Sequence, residues 1–104
     1  MNVIKRSGKE VIFDEEKILK AITKANESVD DIKYRLSTNQ INNIVMNVVN
    51  KCNALGRAVS VEEIQDFVEE NIMRENDYQV AKNYITYRYK HELIRRSNTT
   101  DEHI

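Results

Sequence analysis

No proline interrupts this chain of 104 residues, and glycine occurs only at positions 8 and 56. Proline and glycine are the residues that most often end helices and form loops, so a chain with so few of them favours long helices joined by few turns. A length of 104 residues is typical of one domain. The sequence therefore predicts a single, mostly helical, soluble domain.

The first glycine lies between two short runs rich in β-branched residues, "NVIKR" and "EVIF", at residues 2–6 and 10–13. A short loop that contains glycine between two such runs is typical of a β-hairpin, because glycine adopts positive φ at little cost. A lone hairpin is only marginally stable in water, so this one must pack on something. The run "RAVS", at residues 57–60, is a candidate third strand for the same sheet.

Four segments after the hairpin carry apolar residues at the spacing of one helix face. In the first two segments these are Ile18, Leu19, Ile22 and Ala25, then Ile41, Ile44, Val45, Val48, Val49 and Cys52. In the last two they are Ile64, Phe67, Val68 and Ile72, then Val80, Ala81, Tyr84, Ile85 and Tyr87. Each stripe predicts an amphipathic helix, and a polar connection at residues 26–37 separates the first two.

Polar residues that cap helices stand at the start of each segment. Asp14 is placed to accept the free N–H groups of the first helix, and Ser37 or Thr38 precedes the second. Ser60 and Glu63 form the S-x-x-E pattern of a capping box for the third helix, and Asp77 precedes the fourth. Gly56 follows the second helix, where a left-handed residue often ends one.

These elements predict an α+β, mostly helical fold in which a small β-hairpin or three-stranded cap lies on a four-helix bundle. We expect one domain over residues 1–96, with the fourth helix ending near Arg95. The remaining residues, 97–104, read "SNTTDEHI" and predict a polar, frayed tail.

The charge is unevenly distributed although the net charge is only −1. Residues 1–24 hold six cations against four acids, and residues 82–96 hold five cations against one acid. Residues 60–77 hold seven acids against one cation. Both ends are therefore basic and the third quarter is acidic, which is also what solvated helices of opposite charge would give.

Several classes of site are absent from the sequence. It contains neither the G-x-x-x-x-G-K-[ST] pattern of a P-loop nor G-x-G-x-x-G. The single cysteine, Cys52, excludes an internal disulfide, and the two histidines, His91 and His103, lack the partners of a zinc site. No apolar run approaches the roughly 18 residues of a spanning helix. We expect a cytosolic protein with no catalytic activity of its own.

The basic N-terminal segment is the remaining candidate for chemistry. Lys17, Lys20 and Lys24 follow i, i+3, i+7 and form one stripe on the first helix. Lys17 is close to the helix N-terminus, where free N–H groups favour anions, and the hairpin brings Lys5 or Arg6. The side chains available as an apolar wall for a base are Ile4, Val11, Phe13 and Ile18, with Asp14 as an acceptor for an exocyclic amine. A surface lysine stripe that binds nothing remains open.

The stretch "VIKRSGKEVIFDEEKI", from Val3 to Ile18, resembles the N-terminal motif of the ATP-cone domain. "SVEEIQDFVE" is similar to the third helix of that family, and "VAKNYITYRYKHEL", from Val80 to Leu93, to its last helix. ATP cones are regulatory modules of ribonucleotide reductases and of a related repressor, with a β-cap over a four-helix bundle. The segment "YITYRYKHELIRRSNTTDEHI" is most like the cone of the anaerobic, class III ribonucleoside-triphosphate reductase.

The resemblance implies an allosteric domain that binds ATP as an activating effector or dATP as an inhibiting one, with Mg²⁺ on the triphosphate. It implies a reductase catalytic domain or subunit as partner and a possible nucleotide-dependent oligomer. The implied nucleotide-binding residues are Val3, Ile4, Lys5, Arg6, Phe13, Asp14, Lys17, Ile18, Tyr87 and Lys90.

The roles that the resemblance assigns differ among these residues. Val3, Ile4 and Ile18 would contact adenine, and Asp14 would take the place of a polar residue that contacts the base. The cations Lys5, Arg6, Lys17 and Lys90 would bind phosphates, and Tyr87 would lie near the sugar and phosphates. The family often has threonine and histidine where this chain has Val61 and Gln65, so contacts from the third helix are in question.

Two other functions compete with nucleotide binding. A nucleic-acid-binding helical module would place the acidic third helix in a groove, which phosphate repulsion disfavours. The zinc ribbon of the repressor relatives needs several cysteines, whereas this chain has only Cys52. A helical bundle that binds an acidic partner protein through its basic end remains open, and it predicts no effect of nucleotides on stability.

Overall fold

A computed structural model describes residues 1–75 and 78–102, with side chains described through residue 94. The strands are β1 (Asn2–Ile4), β2 (Glu10–Ile12) and β3 (Val59–Ser60). The α-helices are α1 (Glu15–Glu27), α2 (Thr38–Ala54), α3 (Val61–Arg74) and α4 (Tyr78–Glu102), and a short 3-10 helix spans Ile32–Tyr34. The predicted fold class is confirmed, since four helices accompany a small sheet.

The sheet has the strand order β2-β1-β3, so the predicted third strand is present and β1 is central. β1 pairs antiparallel with β2 and parallel with β3, and Val3 stands opposite both Val11 and Val59. Gly8 has a φ of 87° and donates its N–H to the Lys5 carbonyl at 2.8 Å. The predicted first strand was too long: β1 ends at Ile4, and Lys5 and Arg6 lie in the turn.

The predicted caps of the first three helices are present. The Asp14 carboxylate accepts from the Glu16 N–H at 3.0 Å, and Ser60 and Glu63 form a reciprocal capping box. Ser37 forms a second box with Gln40, which the sequence analysis did not identify. Gly56, at φ 64°, follows α2 as expected. The predicted cap at Asp77 lies outside the described residues.

One hydrophobic core joins the four helices to the sheet. Its fully buried side chains are Ile22, Ile44, Val48, Cys52, Val59, Val68, Ile72 and Val80. Cys52 is fully buried and packs as a small core residue. This burial raises the pKa of its thiol. Two residues expected in the core are on the surface, since Leu19 is 37% exposed and Ile85 is 40% exposed. Each lies about 100° around its helix from the buried neighbour that precedes it.

The connection between α1 and α2 is ordered by a buried amide. Asn26 Oδ1 accepts from the Leu36 N–H at 2.6 Å, and Asn26 Nδ2 donates to the Leu36 carbonyl at 3.1 Å. The Arg35 guanidinium donates to the Val29 carbonyl at 2.8 Å and to the Glu27 carbonyl at 3.0 Å. The segment predicted only as a polar connection is therefore a compact loop.

Helix α4 continues through Glu102, into the segment predicted as a tail. Fraying of residues 97–104 and a domain boundary at residue 96 stay predictions. Within the described residues, none of the helices combines the length and the apolar character that crossing a membrane requires.

Candidate nucleotide-binding site

Two side-chain contacts fix how α1 and α4 run relative to each other. Asn83 donates from Nδ2 to the Ser28 hydroxyl at 2.9 Å, so the end of α1 lies against the start of α4. Arg6, in the turn between β1 and β2, reaches Glu92 in the later part of α4. The two helices, which pack against each other, are therefore antiparallel.

We call the end of the bundle formed by the turn at residues 5–9, the first turn of α1 and residues 87–92 of α4 the hairpin end. Four predicted phosphate ligands from separate parts of the sequence lie there. Lys5 and Arg6 are in the turn, Lys17 is in the first turn of α1, and Lys90 is in α4. Lys5, Lys17 and Lys90 are exposed, so their ammonium groups are accessible to an anion.

Arg6 is engaged by two carboxylates from different helices. Its Nε lies 2.9 Å from Oε1 of Glu62 in the first turn of α3, and its Nη1 lies 3.2 Å from Oε1 of Glu92. The Arg6 side chain is only 28% exposed. The sequence analysis missed both acidic partners, because nothing in the local sequence relates residue 6 to residues 62 and 92.

The predicted adenine wall is mostly part of the hydrophobic core. Val3 and Ile18 are each 8% exposed and belong to the core cluster, while Phe13 and Val11 are half-buried and pack against it. Ile4 is half-buried. Val3 and Val11 share the core-facing side of the sheet, whereas Ile4, the next residue of β1, lies on the other face. Phe13 is more exposed than Val3 or Ile18 and therefore offers more apolar surface.

A cavity of about 510 Å³ lies beside the end of β2. Its lining residues are Met1, Ile12, Phe13, Asp14, Glu15, Glu16, Val49 and Asn53. Three carboxylates border it, so it would repel phosphate groups although its apolar side could contact a base. A triphosphate would therefore have to lie away from this cavity, towards the lysines. Asp14 borders the cavity and is also the cap of α1, through its Oδ1.

Tyr87 and Lys90 extend the side of α4 that carries Asn83. Residues at i, i+4 and i+7 share one side of a helix, and Asn83 contacts α1. Tyr87 is half-buried, and its ring lies 4.2 Å from that of His91 between centroids. Tyr87 and Lys90 therefore share the side of α4 that carries Asn83, and His91 is a neighbour of Tyr87.

The acidic helix α3 is largely neutralised by specific partners. Arg88 Nη1 lies 2.8 Å from both Asp66 Oδ1 and Glu69 Oε1. Arg57 pairs with Glu63 at 2.8 Å, and this hydrogen bond, with that from the Ser60 N–H, lowers the pKa of Glu63 to about 2.

Gln65 of α3 carries an unusual polar atom. Its Oε1 is buried and has no hydrogen-bond partner among the described residues. Gln65 lies one turn beyond Glu62, so it shares that side of the helix with a partner of Arg6. Val61 is half-buried against the core. Neither of these two positions supplies the hydroxyl or imidazole that the family often has there.

Comparisons with known proteins identify one family over most of the chain. The family model described as the ATP cone domain matches residues 1–93. Over 98% of its length, the chain is 32% identical to a ribonucleoside-diphosphate reductase subunit alpha of Chlamydia muridarum, of which it covers 10%.

Two further relatives come from other organisms. Over 89% of its length, the chain is 37% identical to a vitamin B12-dependent ribonucleoside-diphosphate reductase of Thermoplasma acidophilum, of which it covers 12%. Over 85% of its length, it is 34% identical to a ribonucleoside-diphosphate reductase subunit alpha of Treponema pallidum, of which it covers 11%. The chain spans about a tenth of the length of these relatives.

Proposed function

Because the chain belongs to the ATP cone domain family, it is an allosteric nucleotide-binding regulatory domain, and we propose that it controls a ribonucleotide reductase through ATP and dATP. In this proposal ATP activates the reductase and dATP inhibits it. The partner is the catalytic domain or subunit of the same enzyme, consistent with the reductase relatives.

The observation that carries the proposal is the convergence of cations at the hairpin end. Lys5, Arg6, Lys17 and Lys90 come from three separate elements, and the antiparallel packing of α1 and α4 brings those elements together. Four cations are suited to bind the triphosphate group of an adenine nucleotide, because each cation forms charge-assisted hydrogen bonds with phosphate oxygens. We assign all four to the phosphates.

The base and sugar are assigned to the neighbouring side chains. Phe13, at the half-buried edge of the core that contains Val3 and Ile18, forms the surface for adenine, and Ile4 lies on the other face of the sheet. Asp14 accepts from the exocyclic amine, and Tyr87 lies near the sugar. Mg²⁺ enters with the triphosphate, whose oxygens are the ligands it prefers. Within the described residues there is no cluster of His, Cys, Asp and Glu that could hold a metal ion without the nucleotide.

The finer assignments concern the enzyme that the domain serves. We propose an anaerobic, class III triphosphate reductase in the cytoplasm, with an oligomeric state that depends on the nucleotide. The support for this class is the amino-acid sequence of the C-terminal segment from Tyr84. The relatives named above belong to other classes, the diphosphate and B12-dependent reductases. A regulator of this kind acts only if the nucleotide binds one global state of the enzyme more tightly than another.

Thermal unfolding of the chain with Mg-ATP, Mg-dATP, Mg-GTP or no nucleotide tests the binding function. A ligand that binds only the folded state, present at 100 times its Kd, adds about 2.7 kcal/mol to the free energy of unfolding. We expect that stabilisation with the two adenine nucleotides and a much smaller one with GTP. No stabilisation by any nucleotide would contradict the proposal and favour the protein-interaction module.

Activity of the parent reductase tests the control function. We expect ATP to raise and dATP to lower the rate of reduction. In the parent enzyme that carries Lys17→Ala, both responses should need higher nucleotide concentrations while the rate without effector is unchanged. An enzyme whose responses are identical with and without the substitution would contradict the role of this site.

A further inference from the structure

Arg6 joins three elements that are distant in the sequence. Its guanidinium connects the hairpin turn to Glu62 at the start of α3 and to Glu92 of α4, at 2.9 and 3.2 Å. Among the ion pairs of the described side chains, Arg6–Glu92 is the one that joins the hairpin to α4. The turn itself is held by backbone hydrogen bonds of 2.8 Å between Lys5 and residues 8 and 9.

In the present geometry, Glu62 and Glu92 contact Nε and Nη1 of Arg6, two of the three nitrogens that a phosphate could bind. Arginine binds phosphate best through two parallel N–H groups of one guanidinium edge, and here Nε and Nη1 each contact a different carboxylate. A triphosphate that approached Arg6 would also approach Glu62 and Glu92. Like charges in a partly buried setting repel strongly, so phosphate and the two carboxylates compete for the same N–H groups.

We propose that Arg6 is a latch with two positions, an inference that rests on the proposed nucleotide-binding function. In the first position, which the structure shows, Arg6 is bound to Glu62 and Glu92 and connects the hairpin turn to α3 and α4. When the nucleotide binds, its phosphates replace both carboxylates on the guanidinium. The hairpin turn then follows the nucleotide, and α4 loses its ion pair with the hairpin.

Through this exchange of ion pairs, nucleotide binding changes how α4 is connected to the hairpin. A ligand shifts a conformational equilibrium only by its different affinity for the two states, and phosphate contacts Arg6 only in the state in which Arg6 has left Glu62 and Glu92. The ion pairs of Arg6 with these two carboxylates also lower the apparent affinity for the nucleotide, because only the fraction of molecules without them binds it fully. Removing the carboxylates should therefore strengthen nucleotide binding, which is the opposite of what a merely supporting role for Glu62 and Glu92 would predict.

Calorimetric titration of ATP, in Mg²⁺ and in EDTA, tests the latch. Glu62→Gln and Glu92→Gln keep the side-chain shape and remove the charge, and we expect each variant to bind ATP about two- to tenfold more tightly in both buffers. Glu70→Gln is the matched control. Glu70 lies on α3 and pairs with Lys51 at 3.2 Å, the same distance as Arg6–Glu92, and its variant corrects for the general loss of negative charge.

The Arg6→Gln background isolates the cause. In that background, adding Glu92→Gln should give no further gain in affinity, because no guanidinium is left to be released. If Glu62→Gln and Glu92→Gln bind ATP no more tightly than Glu70→Gln, or more weakly, the latch is wrong although ATP binding by the unmodified chain stands. If the unmodified chain and all the variants fail to bind ATP, the proposed function itself fails.

Discussion

Asn83 of α4 donates a hydrogen bond from its Nδ2 to the hydroxyl of Ser28, 2.9 Å away, at the end of α1. This contact places the start of α4 beside the end of α1, so the first turn of α1 lies beside the later turns of α4. The arrangement explains how Lys17 and Lys90, far apart in the sequence, belong to one end of the molecule. It also places the loop between α1 and α2 at the opposite end from the hairpin turn.

The lysines of the hairpin end should contribute directly to nucleotide affinity. We expect Lys5→Ala or Lys17→Ala to weaken ATP binding by about 1–3 kcal/mol, roughly five- to 150-fold in Kd, the scale of a charge-assisted hydrogen bond. Both variants should unfold at nearly the same temperature as the unmodified chain without nucleotide, because exposed cations contribute little to stability. Calorimetric titration and thermal unfolding measure the two quantities.

Lys33→Ala is the control for these variants. Lys33 is an exposed lysine of the loop between α1 and α2, 3.8 Å from Asp31, at the end far from the hairpin. Its replacement removes the same charge and should leave Kd within about twofold. Equal affinity in the Lys5 and Lys17 variants and in this control would contradict our phosphate assignment.

Asn26 should be important for stability and unimportant for nucleotide binding. Asn26→Ala leaves a buried N–H and a buried carbonyl of Leu36 without their partner, so we expect the free energy of unfolding to fall by about 2–4 kcal/mol. Urea denaturation measures this change. Asn47→Ala, at an exposed position of α2, should change it by less than about 0.5 kcal/mol. Similar losses in both variants would show that the buried pair contributes little.

The parts of the fold that the sequence predicted correctly depend on local chemistry. Asp14 and Ser60 cap the helices that follow them, and Gly8 and Gly56 adopt positive φ where the chain turns. A cap or a turn needs only residues within a few positions, so one short window of sequence contains all of the required information.

The parts that it missed depend on packing. Leu19 lies beside the buried residue Ile18 in the sequence, so its position predicted burial. The side of α1 that faces the core includes Ile18 and Ile22 but not Leu19. The contacts of Arg6 with Glu62 and Glu92 exist because three elements meet, and no local pattern encodes that meeting. The candidate cations were identified from their residue type and position, whereas the acids that hold one of them required the tertiary structure.

Glu63 should make the stability of the chain depend on pH under acidic conditions. The Arg57 guanidinium, with the Ser60 N–H, lowers the pKa of Glu63 from 4.5 to about 2 in the folded chain. A carboxyl group whose pKa is lower in the folded state stabilises it fully above the unfolded pKa, and this contribution is lost as the pH falls towards the folded pKa. We therefore expect the contribution of Glu63 to disappear between about pH 4.5 and pH 2.

Thermal unfolding from pH 7 to pH 2.5 measures this contribution. Glu63→Gln keeps an amide oxygen for the capping box, as Gln40 does for Ser37, but cannot titrate. Its unfolding temperature should therefore fall less steeply below pH 4.5 than that of the unmodified chain. Arg57→Gln, which removes the main cause of the low pKa, should flatten the profile in the same direction. Parallel profiles for all three proteins would contradict the assignment.

Gln65 should be a position where a less polar residue stabilises the domain. Its buried Oε1 lacks a partner among the described residues, and a buried acceptor without a hydrogen bond has lost water without compensation. Gln65→Leu has a similar volume and removes this penalty, so we expect the free energy of unfolding to rise by about 1 kcal/mol. Urea denaturation without nucleotide measures the change.

Two other glutamines separate this effect from a general preference for leucine in helices. Gln79→Leu, at an exposed position in the first turn of α4, should change the free energy of unfolding by less than about 0.5 kcal/mol. Gln40→Leu should lower it, because Gln40 accepts from the Ser37 N–H at 2.8 Å and donates to Glu75 at 3.2 Å. If Gln65→Leu is as destabilising as Gln40→Leu, then Oε1 is satisfied in solution, and an ordered water is the partner that its burial permits.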